Sequence, residues 1–216
     1  MSIVILTGFA GAGKDTVADY LVVKHNFIKL SMAQKLKEGV AVIFGYDYKM
    51  LQGLTPSDRE WREQKDEFWS SICGRDLSPR KILQEVGTEC FRNIFSTDFW
   101  VGCVSRQINQ YREQGAENFV ISDARFMSEI NFLRNEGGEV WEVKRPDKEP
   151  EYYQIVYESK QSGKWNKTNI FDPNIKKIKE TVHISELEWI YDNHPDIIIN
   201  NDSTIDTLFA EIDKHF

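Results

Sequence analysis

The stretch Ile3-Val4-Ile5-Leu6-Thr7-Gly8-Phe9-Ala10-Gly11-Ala12-Gly13-Lys14-Asp15-Thr16 reads as a β-rich run, a glycine loop and the opening of a helix. Gly8 to Lys14 satisfies the pattern Gly-x-x-x-x-Gly-Lys, and its place between strand and helix turns the pattern into a mechanism. Glycines let the backbone wrap with its N–H groups pointing inward. The helix N-terminus adds a positive dipole end, and Lys14 a point charge for the β- and γ-phosphates of a nucleoside triphosphate. The candidate triphosphate site is therefore Gly8, Ala10, Gly11, Ala12, Gly13, Lys14, Asp15 and Thr16. Asp15 stands where the common pattern has Ser or Thr for Mg²⁺, with Thr16 next; either residue could face the metal, and Asp15 could equally cap the helix.

Outward from the loop, Val17, Ala18, Leu21 and Val22 form the apolar stripe of a helix, and Phe27 to Leu30 predicts a second strand. Helices are expected over Lys35 to Phe44, over Ser57 to Ser70 and from Ser78-Pro79 onward, where Ile82, Leu83, Val86, Cys90 and Ile94 recur at three and four. Phe119-Val120-Ile121, Val140 to Val143 and Ile197 to Ile199 complete the strands, with a helix over Met127 to Arg134. Continuous apolar strands alternating with helices predict an α/β fold: a central parallel sheet covered by helices on both faces, three layers in all.

The chain has 216 residues, 41% of them hydrophobic and 12% aromatic, enough for one packed domain over residues 1–216 without disulfides. Its 27 basic and 34 acidic side chains leave a net charge of −7, which gives no general attraction for nucleic-acid polymers or anionic membranes. Cys73, Cys90 and Cys103 are odd in number and lack Cys-x-x-Cys spacing, so they read as reduced, buried thiols. The apolar run at the N-terminus stops too soon for a signal or a membrane span, and a cytoplasmic protein is expected.

A phosphate loop names a nucleotide but not a reaction. No Asp-x-x-Gly occurs, and Asn166-Lys167-Thr168-Asn169 lacks the final carboxylate of a guanine-reading motif, so a GTPase switch is disfavoured. Arg80 lies at a helix start, whereas Asp123, Arg125 and Arg145 fall just beyond strand ends, where open parallel sheets bind ligands. Phosphoryl transfer asks for positioning and charge neutralisation, which arginine clamps supply.

Together these residues resemble the deoxynucleoside monophosphate kinases of bacteriophages and large DNA viruses. The resemblance runs through Gly13 to Leu21, Lys29-Leu30-Ser31-Met32-Ala33 with Lys37, Pro79 to Gln84, and Gly87-Thr88-Glu89. It continues in Asp98-Phe99-Trp100-Val101, Ser122 to Phe126 with Glu129, Arg145-Pro146, His183 to Glu186, and Asn200 to Thr204. It implies transfer of the ATP γ-phosphate to the 5′-phosphate of a deoxynucleoside monophosphate, with Mg²⁺. It also implies that Lys14, Arg80, Arg125 and Arg145 are catalytic and that Lys29, Ser31, Lys37, Arg80, Gln84, Trp100 and Glu129 meet the acceptor. Trp100 would stack on the base or, as a large aromatic in a helix, lie in the core; Glu129 would orient Arg125, and Asp123 would join Asp15 and Thr16 on the metal side. Other small-molecule kinases of the phosphomevalonate or dephospho-coenzyme A type, and a non-catalytic nucleotide-binding regulator, are the alternatives. The resemblance points to a homodimer, although no heptad demands one.

Residues 144–180 carry nine basic side chains (144, 145, 148, 160, 164, 167, 176, 177, 179) against six acidic ones (147, 149, 151, 158, 172, 180), a local +3. This segment reads as a lid over the phosphates or as a solvated insertion. Asn200 and Asn201 could read adenine or cap the helix that begins near Thr204.

Overall fold

The computed structural model describes residues 2–161, 173–182, 187–192 and 194–216. The chain divides into two compact units, one of Met1–Ser31 with Ile108–Phe216 and the other of Met32–Gln107. The first contains strands β1 (Ser2–Thr7), β2 (Ile28–Leu30), β3 (Asn118–Ile121), β4 (Gly138–Lys144) and β5 (Ile197–Asn200), in the order β2-β3-β1-β4-β5. Every pairing among them is parallel, with Ile5 of β1 opposite Ile121 of β3 and Val140 of β4.

The continuous apolar runs follow from cover on both faces. Val4, Leu6, Val120, Trp141, Val143 and Ile199 pack with Val17, Ala18 and Leu21 of the helix Lys14–His25 and with Leu208 and Ile212 of the helix Ile205–Asp213. Alternate positions such as Ile3, Ile5 and Phe119 point to the other face, where the helix Met127–Asn135 buries Ile130 and Leu133. The expected α/β architecture is present. Val22, placed in the apolar stripe of the first helix, is 37% exposed because Val17, Ala18 and Leu21 already fill the face against the sheet.

The second unit is built from short helices, Gln34–Phe44, Tyr48–Gln52, Pro56–Glu63, Glu67–Cys73 and Pro79–Glu85, around Val40, Leu51, Leu77, Ile82 and Leu83. The single helix expected over Ser57 to Ser70 is two. Asp66 interrupts it as an N-cap, accepting the Trp69 N–H at 2.8 Å and the Tyr46 hydroxyl at 2.6 Å. After Glu85 the helix widens into a π-helical stretch, Val86–Arg92. That changes the period, so the stripe continued to Cys90 and Ile94 fails: both are exposed. The cysteines are free, but Cys73 and Cys90 are exposed and Cys103 is half-buried, which corrects the expectation of buried thiols. No helix among the described residues is long and apolar enough to cross a membrane.

Candidate functional site

The glycine loop joins β1 to the helix Lys14–His25 at the carboxyl edge of the sheet. Gly8 has φ +134°, and a Cβ there would overlap the Val143 carbonyl oxygen of β4. Gly13 caps the helix at φ +103°, and a Cβ there would overlap the Asn201 side-chain amide. Only glycine meets both the positive φ and the close approach. The Ala12 N–H donates to the Phe9 carbonyl at 3.1 Å, and Lys14 Nζ donates to the carbonyls of Gly8 and Phe9, each at 2.8 Å. Ala10 and Gly11 are exposed at the crest, while Ala12 is buried against the core.

Behind the loop, Asn201 donates its side-chain amide to the Ala12 carbonyl at 2.8 Å and its backbone N–H to Lys144 O at 2.7 Å. A residue expected to read a base or cap a helix is thus a brace between the loop and the ends of β4 and β5. The helix cap is Thr204, whose hydroxyl accepts from Thr207 N at 3.3 Å.

Asp15 lies in the first turn of the helix. Its Oδ1 accepts from Ser122 Oγ at 3.1 Å and lies 2.9 Å from Lys29 Nζ, which also reaches Asp19 at 2.9 Å. Burial pushes the Asp15 carboxyl up, but the hydrogen bond and charge of Lys29, with Ser122 and Lys14, outweigh it and hold its pKa below the usual value. Burial likewise pulls the Lys29 ammonium down, and its two carboxylate partners lift it above the ordinary value. Lys29, expected at the acceptor, is therefore engaged with the carboxylates of the helix that follows the loop. Ser31 Oγ, just past β2, donates to Asp123 Oδ2 at 2.6 Å just past β3. Ser122 and Asp123 are neighbours, so these bonds bring Asp15, Lys29, Ser31 and Asp123 together at the carboxyl ends of β2 and β3.

No group of three or more His, Cys, Asp or Glu side chains capable of holding a metal ion forms among the described residues. Asp15, Thr16 and Asp123 offer hard oxygen donors. That fits Mg²⁺, which takes one or two carboxylates and completes its shell with water and phosphate oxygens.

Glu129, 3% exposed, accepts the backbone N–H groups of Arg125 at 2.9 Å and Phe126 at 3.1 Å, so it positions the Arg125 backbone at the start of its helix. The Arg125 side chain is exposed. Arg145 follows directly after β4, and its Nε lies 3.0 Å from Asp147 Oδ1; Lys148 Nζ is 3.8 Å from the other oxygen. The Lys148 methylenes rest over Gly11, where an added Cβ would lie 3.8 Å from Cγ. Lys148 is a loop neighbour that sequence reasoning did not single out; the basic run around it was the available signal. Within residues 144–180, helices Glu151–Gln161 and Pro173–Thr181 are described; residues 162–172 lie outside the described residues, as does His183 to Glu186.

In the second unit, Arg80 and Gln84 stand one turn apart and exposed on Pro79–Glu85, with Arg80 Nη1 3.1 Å from Glu63 Oε1. Lys37 Nζ donates to Gln52 Oε1 at 3.1 Å. Trp100 is 6% exposed, its indole N–H donates to the Gly87 carbonyl at 2.9 Å, and its ring meets Phe91 and Phe99 at 5.1 and 4.9 Å. Those contacts make it a core residue of the helical unit, the alternative to a stacking platform.

A family model of deoxynucleotide monophosphate kinases matches residues 56–160, a range that includes Arg80, Asp123, Arg125, Glu129 and Arg145 but not the glycine loop. A protein of Acanthamoeba polyphaga mimivirus that carries the name deoxynucleotide monophosphate kinase is 31% identical over 162 residues, 68% of this chain and 75% of that protein. Among solved structures, dephospho-CoA kinase from Campylobacter jejuni is 16% identical with a TM-score of 0.47, covering 99% of this chain and 94% of that one. Shikimate kinase from Aquifex aeolicus is 16% identical with a TM-score of 0.42 over the same shares.

Proposed function

We propose, because the chain belongs to the deoxynucleotide monophosphate kinase family and carries a braced phosphate loop, that it transfers the γ-phosphate of ATP to the 5′-phosphate of a deoxynucleoside monophosphate. The products are ADP and the diphosphate, a precursor for DNA synthesis made in the cytoplasm. The observation that carries this reading is the loop itself. Gly8, Gly11 and Gly13 adopt positive φ between β1 and its helix, and Lys14 is held at the loop by two carbonyls that a phosphate can replace.

The acceptor phosphate is an anionic nucleophile at neutral pH, so no dedicated base is required; alignment and charge neutralisation are. Lys14 and the loop N–H groups hold the donor phosphates. Asp15, Thr16 and Asp123 would hold Mg²⁺, which supplies charge neutralisation on the phosphates when bound. Ser31 orients Asp123, and Ser122 with Lys29 orients Asp15. Arg125 and Arg145 stabilise charge on the transferring group, while Arg80, Gln84 and Lys37 serve the acceptor.

The test is ADP release from ATP and Mg²⁺ with a panel of nucleoside and deoxynucleoside monophosphates, phosphomevalonate and dephospho-coenzyme A. Turnover with at least one deoxynucleoside monophosphate is expected. Turnover with none of them, or with phosphomevalonate or dephospho-coenzyme A alone, overturns the reading.

A further inference from the structure

Between Gly8 and Gly13 the loop has three small residues, Ala10, Gly11 and Ala12, and one large aromatic, Phe9. Phe9 is 6% exposed, and what buries it lies outside the loop. Its ring meets Tyr153 edge-on at 4.9 Å and 79°, Trp189 at 5.0 Å and 66°, and Tyr152 at 6.2 Å and 76°. The two tyrosines belong to the helix Glu151–Gln161 and the tryptophan to the helix Glu188–Asp192. These walls are themselves anchored. Trp189, Leu187 and Val156 are buried, and Glu188 accepts the Met127 backbone N–H at 3.3 Å from the start of the helix Met127–Asn135.

The backbone of the same residue is the hub of the loop. The Phe9 carbonyl accepts the Ala12 N–H at 3.1 Å and Lys14 Nζ at 2.8 Å, and Lys14 shares its ammonium with the Gly8 carbonyl. Ring and carbonyl hang on one Cα, so a ring wedged among three aromatic edges restricts the peptide that carries the carbonyl. That restraint counts most in a glycine loop. Gly8, Gly11 and Gly13 lose more backbone freedom on ordering than other residues would, and a loop ordered before its ligand arrives does not add that loss to binding.

We propose that Phe9 is a positioning residue: its ring, held by Tyr153 and Trp189, fixes the carbonyl that carries Lys14 Nζ, so that two helices beyond β4 keep the loop ready for a triphosphate. The triphosphate named here rests on the function proposed above; the anchoring rests on the aromatic contacts and the shared carbonyl.

Calorimetric binding of ATP and of a deoxynucleoside monophosphate to the full chain tests it, with Tm as the check on folding. Phe9→Ala should weaken ATP binding about 10-fold and leave monophosphate affinity unchanged. Phe9→Leu, which still fills the space between the rings, should recover most of the loss. Tyr153→Leu, outside the loop, should weaken ATP binding in the same direction by a smaller factor. Because Phe9 acts through Lys14, Phe9→Ala combined with Lys14→Ala should lose less than the product of the two single fold-losses. A folded Phe9→Ala that binds ATP as wild type does, that loses both ligands equally, or whose loss multiplies independently with that of Lys14→Ala overturns the proposal. Should Phe9→Ala fail to fold, unchanged ATP affinity in Tyr153→Leu, or a Tyr153→Leu loss independent of Lys14→Ala, overturns it instead. Wild type that binds ATP in a Phe9-dependent way but turns over no deoxynucleoside monophosphate removes the proposed activity and leaves the role of Phe9. Wild type that binds no ATP removes both, and full turnover with unchanged ATP affinity in Phe9→Ala removes the role of Phe9 alone.

Discussion

In the sheet unit Lys29 lies between the carboxylates of Asp15 and Asp19, and Arg145 and Lys148 share Asp147; in the helical unit Arg59 and Arg62 lean on backbone carbonyls, and Arg62 keeps a buried Nε with no partner. The difference follows from how each unit presents polar groups. A parallel sheet ends all its strands on one edge, so a loop there offers backbone N–H groups and a helix dipole, and its cations can be matched with carboxylates. Short helices leave their first N–H groups to side-chain caps such as Asp66, and they present charge through side chains from neighbouring turns. The sheet unit should then tolerate side-chain changes away from the loop, whereas the helical unit should depend on the seating of individual residues.

The largest expected effect is at Trp100. Truncation to Ala removes a buried indole and its bond to Gly87, and should cost about 3–5 kcal/mol of stability, read as a lowered denaturation midpoint. Trp100→Phe should keep the wild-type KM for the monophosphate; a raised KM at unchanged Tm would restore the stacking role and blur the contrast between the two units.

Next is Lys14→Ala in the sheet unit. Removing this donor should lower kcat by on the order of 10²–10³-fold while Tm stays near wild type, because the loop keeps its bracing by Asn201 and its own Phe9–Ala12 bond. A variant that turns over normally would contradict the phosphate role of Lys14, and one that unfolds would show that the loop depends on a side chain after all.

The smallest effect concerns the far end of the same helix. Asp213 accepts from Tyr20 at 2.9 Å and meets His25 Nε2 at 2.8 Å. Hydrogen bonds from His25 and then Tyr20 hold its carboxyl below the ordinary aspartate range. A lowered folded-state pKa contributes stability that is full above the unfolded value and is lost as pH falls through the folded one. Asp213→Asn should therefore lower Tm by no more than a few degrees near neutral pH, with the gap to wild type closing below the ordinary carboxylate range. A gap that persists in acid would mean that packing of His25 on Phe216, not the bonds to the Asp213 carboxylate, is what matters.

Much of the sheet unit was legible in the residues. Ile3 to Leu6 is apolar without alternation because both faces are covered, and Gly8 and Gly13 are glycines because their φ and their neighbours allow nothing larger. Phe119 to Ile121 followed by Asp123 placed a carboxylate at a strand end correctly. The helical unit was harder to read. Periodicity assumes one helical period, and the π-helical stretch Val86–Arg92 and the Asp66 cap both break it. Arg62 carries no motif at all; its place is defined by Gly53, nine positions earlier, and by the Leu51 carbonyl.

The sequence by itself determined the strand–glycine loop–helix and the parallel α/β class, because those depend on local backbone geometry and on burial that repeats along the chain. Tertiary structure alone decided that Asn201 braces the loop from 189 positions away, that Lys29 pairs with Asp15, that Trp100 is core, and that Arg62 is seated on Gly53. Each of these is a meeting of side chains distant in sequence, whose energy depends on distance and burial in the folded chain.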